Sequence, residues 1–199
     1  MATTHVSGQK AYEKRMSTVD LLDALAFRAF ELMKNNRLVL VTAESCTAGL
    51  IAATLARVPG MSSVLAGGFV VYQVESKIAW LNVAPGLIEQ QGVVSSEVAQ
   101  LMAEAALRNT KHATLAISIT GHLGPDAPDG MDGIAWLGFA RRNQPCCSQK
   151  LQLQITMPEP TNPVTKSERR LVIRHERQLD AVRQSLSFLC KKLETFYEC

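Results

Sequence analysis

The stretch Val39–Gly49, VLVTAESCTAG, constrains the fold of this chain more than any other. It begins within the apolar run Leu38–Val41, rich in β-branched residues and short enough to be a buried strand. Small and polar residues follow, and then the apolar, helix-like run LIAATLARV. A strand that stops at a serine and turns into a helix sets a hydroxyl beside the helix N-terminus. Unpaired N–H groups and the helix dipole favour developing negative charge there. Ser45 then reads in two ways: as the helix N-cap, or as a nucleophile or anion-binding hydroxyl. The stretch alone leaves both open.

The rest of the chain supplies a frame for that turn. Residues 1–16 are polar and unpatterned and read as a mobile tail, leaving 17–199 as a single domain. Ser17 reads as the N-cap of a first helix, with Asp20 three positions on. Leu21, Leu22, Leu25, Ala29, Leu32 and Met33 form its buried stripe. Strands are expected at 38–43, 69–72, 113–120, 134–140 and 151–157. Helices are expected from Ser45 to about Arg57, over 75–81, over 86–91, from Ser95 or Ser96 to Asn109, and from about Thr165 to Phe196. Pro158–Pro163 reads as an irregular linker. Helices and strands alternate early and strands pair late. That order predicts a three-layer α/β/α sandwich with a mixed, mostly parallel sheet.

Composition narrows the function classes. The net charge of +3 is spread along the chain, and pairs such as Arg141-Arg142 and Lys191-Lys192 are too small for a nucleic-acid surface. No apolar run approaches the roughly 20 residues needed to cross a membrane. The opening MATTHVSGQKAYEKRMS lacks the apolar core of a signal peptide, and five cysteines without paired spacing suit a reducing cytoplasm. All five read as free thiols, and the adjacent Cys146-Cys147 pair offers no zinc motif.

Three stretches end predicted strands with chemically capable side chains: Ala43–Thr47, Tyr72 with Lys77, and Thr120-Gly121-His122. Strand ends and adjoining helix N-termini are where α/β sheets bind ligands. Lys77 lies five residues after Tyr72, about one turn into the next helix. Burial near Ser45 would lower its pKa and make it a general base, with Tyr72 relaying a proton or holding the lysine. The competing readings are a solvated lysine and a half-buried anchoring tyrosine. Cys46 is a rival nucleophile, since a helix N-terminus lowers a thiol pKa. No local pattern sets a histidine near it, so it reads as a small packed residue. Asp126, Asp129 and Asp132 do not match a calcium-loop spacing and read as a solvated turn.

The segments TAESCTAGLIAATLARVPGMSSVLAGGFVVY, ESK, LNVAPGLIEQQGVVSSEVAQLMAEAAL and SITG-x-x-GP resemble the C-terminal domain of the competence/damage-inducible protein CinA. The resemblance runs from about Asp20 to Leu189. Stand-alone members of that family are nicotinamide-nucleotide amidases, which convert nicotinamide mononucleotide to nicotinic acid mononucleotide and ammonia. The resemblance implies Ser45 as nucleophile, Tyr72 and Lys77 as its base system, and no cofactor or metal. Backbone N–H groups of Cys46 or Thr47 would hold the oxyanion. Gly49, Gly68, Thr120 and Gly121 would border the substrate, and Arg170 or Arg174, in Arg170-Leu-Val-Ile-Arg174, would contact it. A small-molecule nucleotide substrate and a homo-oligomer are the implied partners.

Three positions depart from the family pattern. Ala48 stands where the family has glycine, Val74 where it has asparagine, and the loop His122–Asp132 has gained bulk and acid. The acids are expected to repel a substrate phosphate. The alternative to the amidase is therefore a weak or inactive CinA-like paralogue acting as a nucleotide-binding or regulatory protein.

Overall fold

The structure, a computed structural model, describes residues 21–155 and 165–195. The expected tail, the Ser17 cap, the Pro158–Pro163 linker and the ends of the last strand and helix, at Met157 and Phe196, lie outside the described residues. Helix α1 covers residues 21–35. It is followed by β1 (Leu40–Glu44), α2 (Leu50–Leu55), a 3-10 turn (Met61–Ser63), β2 (Leu65–Val70), α3 (Val74–Leu81) and α4 (Pro85–Gln91). Then come α5 (Ser96–Asn109), β3 (Leu115–Gly121), β4 (Ile134–Arg141), β5 (Cys147–Gln152) and α6 (Lys166–Thr195).

The strands form one sheet in the order β2-β1-β3-β4-β5. β1 pairs parallel with both β2 and β3, while β4 runs antiparallel to β3 and β5. Only β4 is reversed, so the sheet is mixed with four strands pointing the same way. A parallel pair needs a crossover, and the crossovers put helices on both faces. One face buries Ala26, Phe30 and Met33 of α1, Ile51 and Leu55 of α2 and Leu186 and Leu189 of α6 against Leu40, Leu115, Ile117, Ile119 and Leu137. The other buries Leu81 of α3 and Val98, Met102 and Ala106 of α5 against Val41, Ala43 and Ala116. The β3 pattern follows from this: Leu115, Ile117 and Ile119 serve one face, and Ala116 the other.

The two faces differ in side-chain volume. α5 approaches the sheet through alanines, and the Ser118 hydroxyl donates to the Ala99 carbonyl at 2.5 Å. Gly138 on β4 sits directly beneath that carbonyl, and a Cβ there would lie 2.2 Å from Ala99 O. Of the two serines expected to start α5, Ser95 is the cap: its Oγ accepts from Val98 N at 3.3 Å.

Two expected strands shift. β2 starts at Leu65, four residues before the expected strand, and includes Gly67 and Gly68. Gly68 belongs there because a Cβ would meet Thr42 Oγ1 of β1 at 2.3 Å. β5 spans Cys147–Gln152 rather than starting at Leu151; as an edge strand it is largely polar. In α6, Val182, Leu186 and Leu189 are fully buried within the domain, whereas Leu171 is 69% exposed. The N-terminal part of this 30-residue helix therefore projects past the core.

The close α5–sheet approach predicts that Gly138→Ala destabilises the fold by about 3 kcal/mol, at the upper end of ordinary overpacking because backbone must move. Chemical denaturation measures it, and a loss below about 0.5 kcal/mol would show that α5 is free to retreat.

Candidate active site

β1, β2 and β3 are parallel neighbours, so their C-terminal ends share one edge of the sheet. That edge brings the three predicted stretches together around a cleft of about 1040 Å³, lined by Ser45, Tyr72, Lys77, Gly121, His122 and Arg174 among others.

Ser45 follows directly on β1, its N–H donating to Ile119 O at 3.0 Å. It does not cap α2, which begins only at Leu50 and has Gly49, at φ 93°, as its N-cap. Between them lies a turn in which Ala48 N donates to Ser45 O at 3.1 Å and Leu50 N to Thr47 O at 3.1 Å. Both sequence readings placed Ser45 against the helix N-terminus; the structure puts Glu44 there instead. The Glu44 carboxylate is fully buried and accepts from Ile51 N at 3.0 Å and Ala52 N at 2.9 Å. It also accepts from Thr47 Oγ1 at 2.7 Å and Thr42 Oγ1 at 3.2 Å. A buried carboxylate needs that many donors, and a helix N-terminus supplies positive potential without a cation. Glu44 is the functional residue that sequence reasoning passed over. Its signal was available: an acid ending a buried strand, six residues ahead of the helix whose N–H groups it accepts.

Lys77 reaches the site from α3. It is 1% exposed, and its Nζ lies 2.9 Å from Ser45 Oγ and 2.8 Å from Val71 O, with Tyr72 O at 3.5 Å. Burial lowers its pKa from 10.5 to about 8, against a smaller opposing effect of Cys46. The lysine is therefore poised between charged and neutral forms close to physiological pH. Cys46 lines the same cleft, but burial pushes its thiol up to about 12, with Glu44 adding in the same direction. It stays protonated, in line with a packed residue rather than a nucleophile. Its carbonyl accepts from Gln178 Nε2 of α6 at 3.2 Å, tying the closing helix to the serine turn.

Tyr72 is 51% exposed, and its hydroxyl accepts from Arg174 Nη2. The side chain thus faces α6, and its link to Lys77 runs through its own carbonyl. Thr120 and Gly121 line the cleft, but the Thr120 hydroxyl donates to Val93 O at 2.9 Å. A Cβ on Gly121 would approach Ala135 Cβ at 2.6 Å and Cys46 Sγ at 3.1 Å. Thr47, Gly49 and Gly68, which the resemblance put at the oxyanion or substrate, lie outside the cleft lining. They build the turn: Thr47 binds Glu44, Gly49 starts α2, and Gly68 makes room for Thr42.

The acidic loop after β3 is not a free field of negative charge. Asp132 accepts two bonds from Arg177, at 2.8 and 2.6 Å, and these hold its carboxyl below the usual carboxylate range. Arg177 also donates to Leu123 O at 3.1 Å. Asp126 pairs with Arg170 of α6. Two of the three acids expected to repel a phosphate therefore already have arginine partners. Arg177 and Gln178 were missed in sequence because their partners lie 45 and 132 positions away. Burial lowers the His122 pKa, leaving the imidazole neutral at pH 7. Val74, at the start of α3, lines the cleft.

A family model of the CinA C-terminal domain matches residues 22–164, and the chain belongs to that family. A CinA-like protein from Chlorobium phaeovibrioides is 45% identical over 114 residues, 56% of this chain and 26% of that protein. The chain spans about a quarter of the length of the curated relatives it matches. Among solved structures, the competence/damage inducible protein CihA from Agrobacterium tumefaciens is 29% identical, with a TM-score of 0.74. The match covers 87% of this chain and 96% of that one. A CinA superfamily protein from Klebsiella pneumoniae matches with a TM-score of 0.70 at 26% identity, over 87% of this chain and 98% of that one.

Two outcomes follow from the turn. Glu44→Gln replaces one acceptor oxygen with an NH2 that faces N–H or hydroxyl donors, and should cost about 3 kcal/mol in urea unfolding. Ala48 is held at φ 52°, where a Cβ strains the backbone. Ala48→Gly should therefore stabilise the protein by about 1 kcal/mol, and a destabilisation would show that the alanine methyl is needed for packing.

Proposed function

We propose that this chain hydrolyses a primary carboxamide carried by a nucleotide, with nicotinamide mononucleotide as the substrate the family resemblance favours. The observation that supports the reading most is the 2.9 Å contact between Ser45 Oγ and a lysine amine that burial keeps near pKa 8. Neutral Lys77 directs its two N–H bonds toward the Val71 and Tyr72 carbonyls, leaving its lone pair for the serine proton. Ser45 Oγ attacks the amide carbon as Lys77 takes that proton. The charge on the carbonyl oxygen falls to the N–H of Cys46, which lines the cleft, since the first turn of α2 already serves Glu44. Lys77 then protonates the departing nitrogen, ammonia leaves, and Ser45 is left as an ester. Water adds to that ester as Lys77 accepts its proton. Lys77 returns it to Ser45 Oγ as the carboxylate product departs. Tyr72 is assigned to the substrate wall rather than the proton path, because its hydroxyl engages Arg174. Arg174 is the seat for the substrate phosphate: its partner is the Tyr72 hydroxyl, whereas Arg170 already faces the Asp126 carboxylate.

A second reading, a nucleotide-binding or regulatory protein with little turnover, draws on the strained Ala48 and on the loop acid paired with Arg170. Ammonia release from nicotinamide mononucleotide separates the two. Ser45→Ala and Lys77→Ala should each lower kcat by at least about 1,000-fold. In the active protein kcat should rise with pH and level off above about 8, as Lys77 loses its proton. Wild-type protein that releases no ammonia but binds the nucleotide in calorimetry would replace the enzyme reading with the second.

A further inference from the structure

Lys166, Arg170 and Arg174 follow one another at four-residue steps on α6, and all three line the cleft. Residues so spaced share a helix face, so they form a ladder of positive charge about 12 Å long. That is longer than a single phosphate requires and suits an anion with two phosphate groups. The middle rung, however, is engaged by Asp126 from the loop after β3.

The two ion pairs linking this loop to α6 are unlike in character. Asp132–Arg177 is bidentate, with the arginine side chain only 10% exposed and further tied to the Leu123 carbonyl. It fixes the loop to the helix. Asp126–Arg170 lies in the open, with side chains 65% and 44% exposed, and a pair so hydrated adds little to stability. Its effect is to place a carboxylate where a ligand anion would otherwise meet Arg170. Pro125, Asp126 and Ala127 all border the cleft, so the carboxylate stands at the edge of the ligand space.

We infer that Asp126 is a specificity-determining residue, an internal anion that occupies Arg170 and restricts the cleft to ligands bearing one phosphate group. A monophosphate has Arg174 available to it. A diphosphate needs the next rung as well, and meets a carboxylate there that it must displace. Only the assignment of Arg174 to the substrate phosphate rests on the hydrolase reading; the charge arrangement stands without any turnover.

Calorimetric titration of the full chain with inorganic phosphate and with pyrophosphate tests this without catalysis. Asp126→Asn should tighten pyrophosphate binding at least tenfold and phosphate binding less than threefold. Asp126→Glu should leave both near wild type, and Arg170→Gln added to Asp126→Asn should abolish the gain. Equal tightening of both anions, or of neither, overturns the proposal, as does a gain that survives loss of Arg170. Thermal unfolding of each variant beside wild type shows whether the fold is intact. If ammonia release fails while this selectivity appears, the hydrolase reading falls and the anion gate stands.

Discussion

The site depends on one buried carboxylate. Glu44 ends β1, and its oxygens take the N–H groups of Ile51 and Ala52 in the first turn of α2 together with the hydroxyls of Thr42 and Thr47. Strand, turn and helix are thereby fixed to a single group, and the serine between them has little freedom. The arrangement also explains the small residues around it. Gly68 leaves space for the Thr42 side chain that donates to Glu44, and Gly121 leaves space for Cys46. The helix N-terminus, usually taken as the place where an anion binds, is here occupied by the protein's own anion.

Lys77 imposes the opposite demand. Its folded pKa is about 8 against an ordinary 10.5, so the folded protein binds this proton less tightly than the unfolded chain. Above about pH 10.5 both states are neutral and the burial carries no charge penalty. As pH falls from 10.5 toward 8 the unfolded chain takes up this proton first, and about 3 kcal/mol of stability is lost over that window. The loss levels off below about 8, where the folded state holds a buried ammonium. The three carbonyl and hydroxyl oxygens around Nζ reduce that cost without removing it. A lysine half-titrated near neutrality is thus bought with stability, as is common where a group must exchange protons.

Much of this was legible in the sequence where local pattern decides the outcome. The apolar run before Ser45, the Tyr72–Lys77 spacing and the Ala113–Thr120 run marked three strand ends, and parallel pairing of β1 with β2 and β3 put them on one edge. Residue type narrowed the start of α5 to Ser95 or Ser96, and the structure uses Ser95 as the cap. What stayed hidden was decided by distant partners. The Gly67-Gly68 pair weakens β-propensity, yet it lies inside β2, and Gly68 is needed there because Thr42 takes the space. The five-residue delay between Ser45 and α2 depends on Ala48 and Gly49 both taking positive φ, which an alanine does not advertise. The loop acids read as a repulsive field because their arginines arrive more than forty residues later.

The length of α6 has a consequence for how the cleft is tuned. Its C-terminal half is locked into the core by residues such as Val182, Leu186 and Leu189, while its first turns stand outside with Lys166, Arg170 and Arg174. The helix acts as a shaft whose rotational setting is fixed at one end and read out at the other. Each residue turns the shaft by about 100°. One residue gained or lost between the buried half and Arg174 would swing all three cations out of the cleft together, without changing one core contact. The charge of this wall is therefore governed by the phase of the helix as much as by the identity of its side chains.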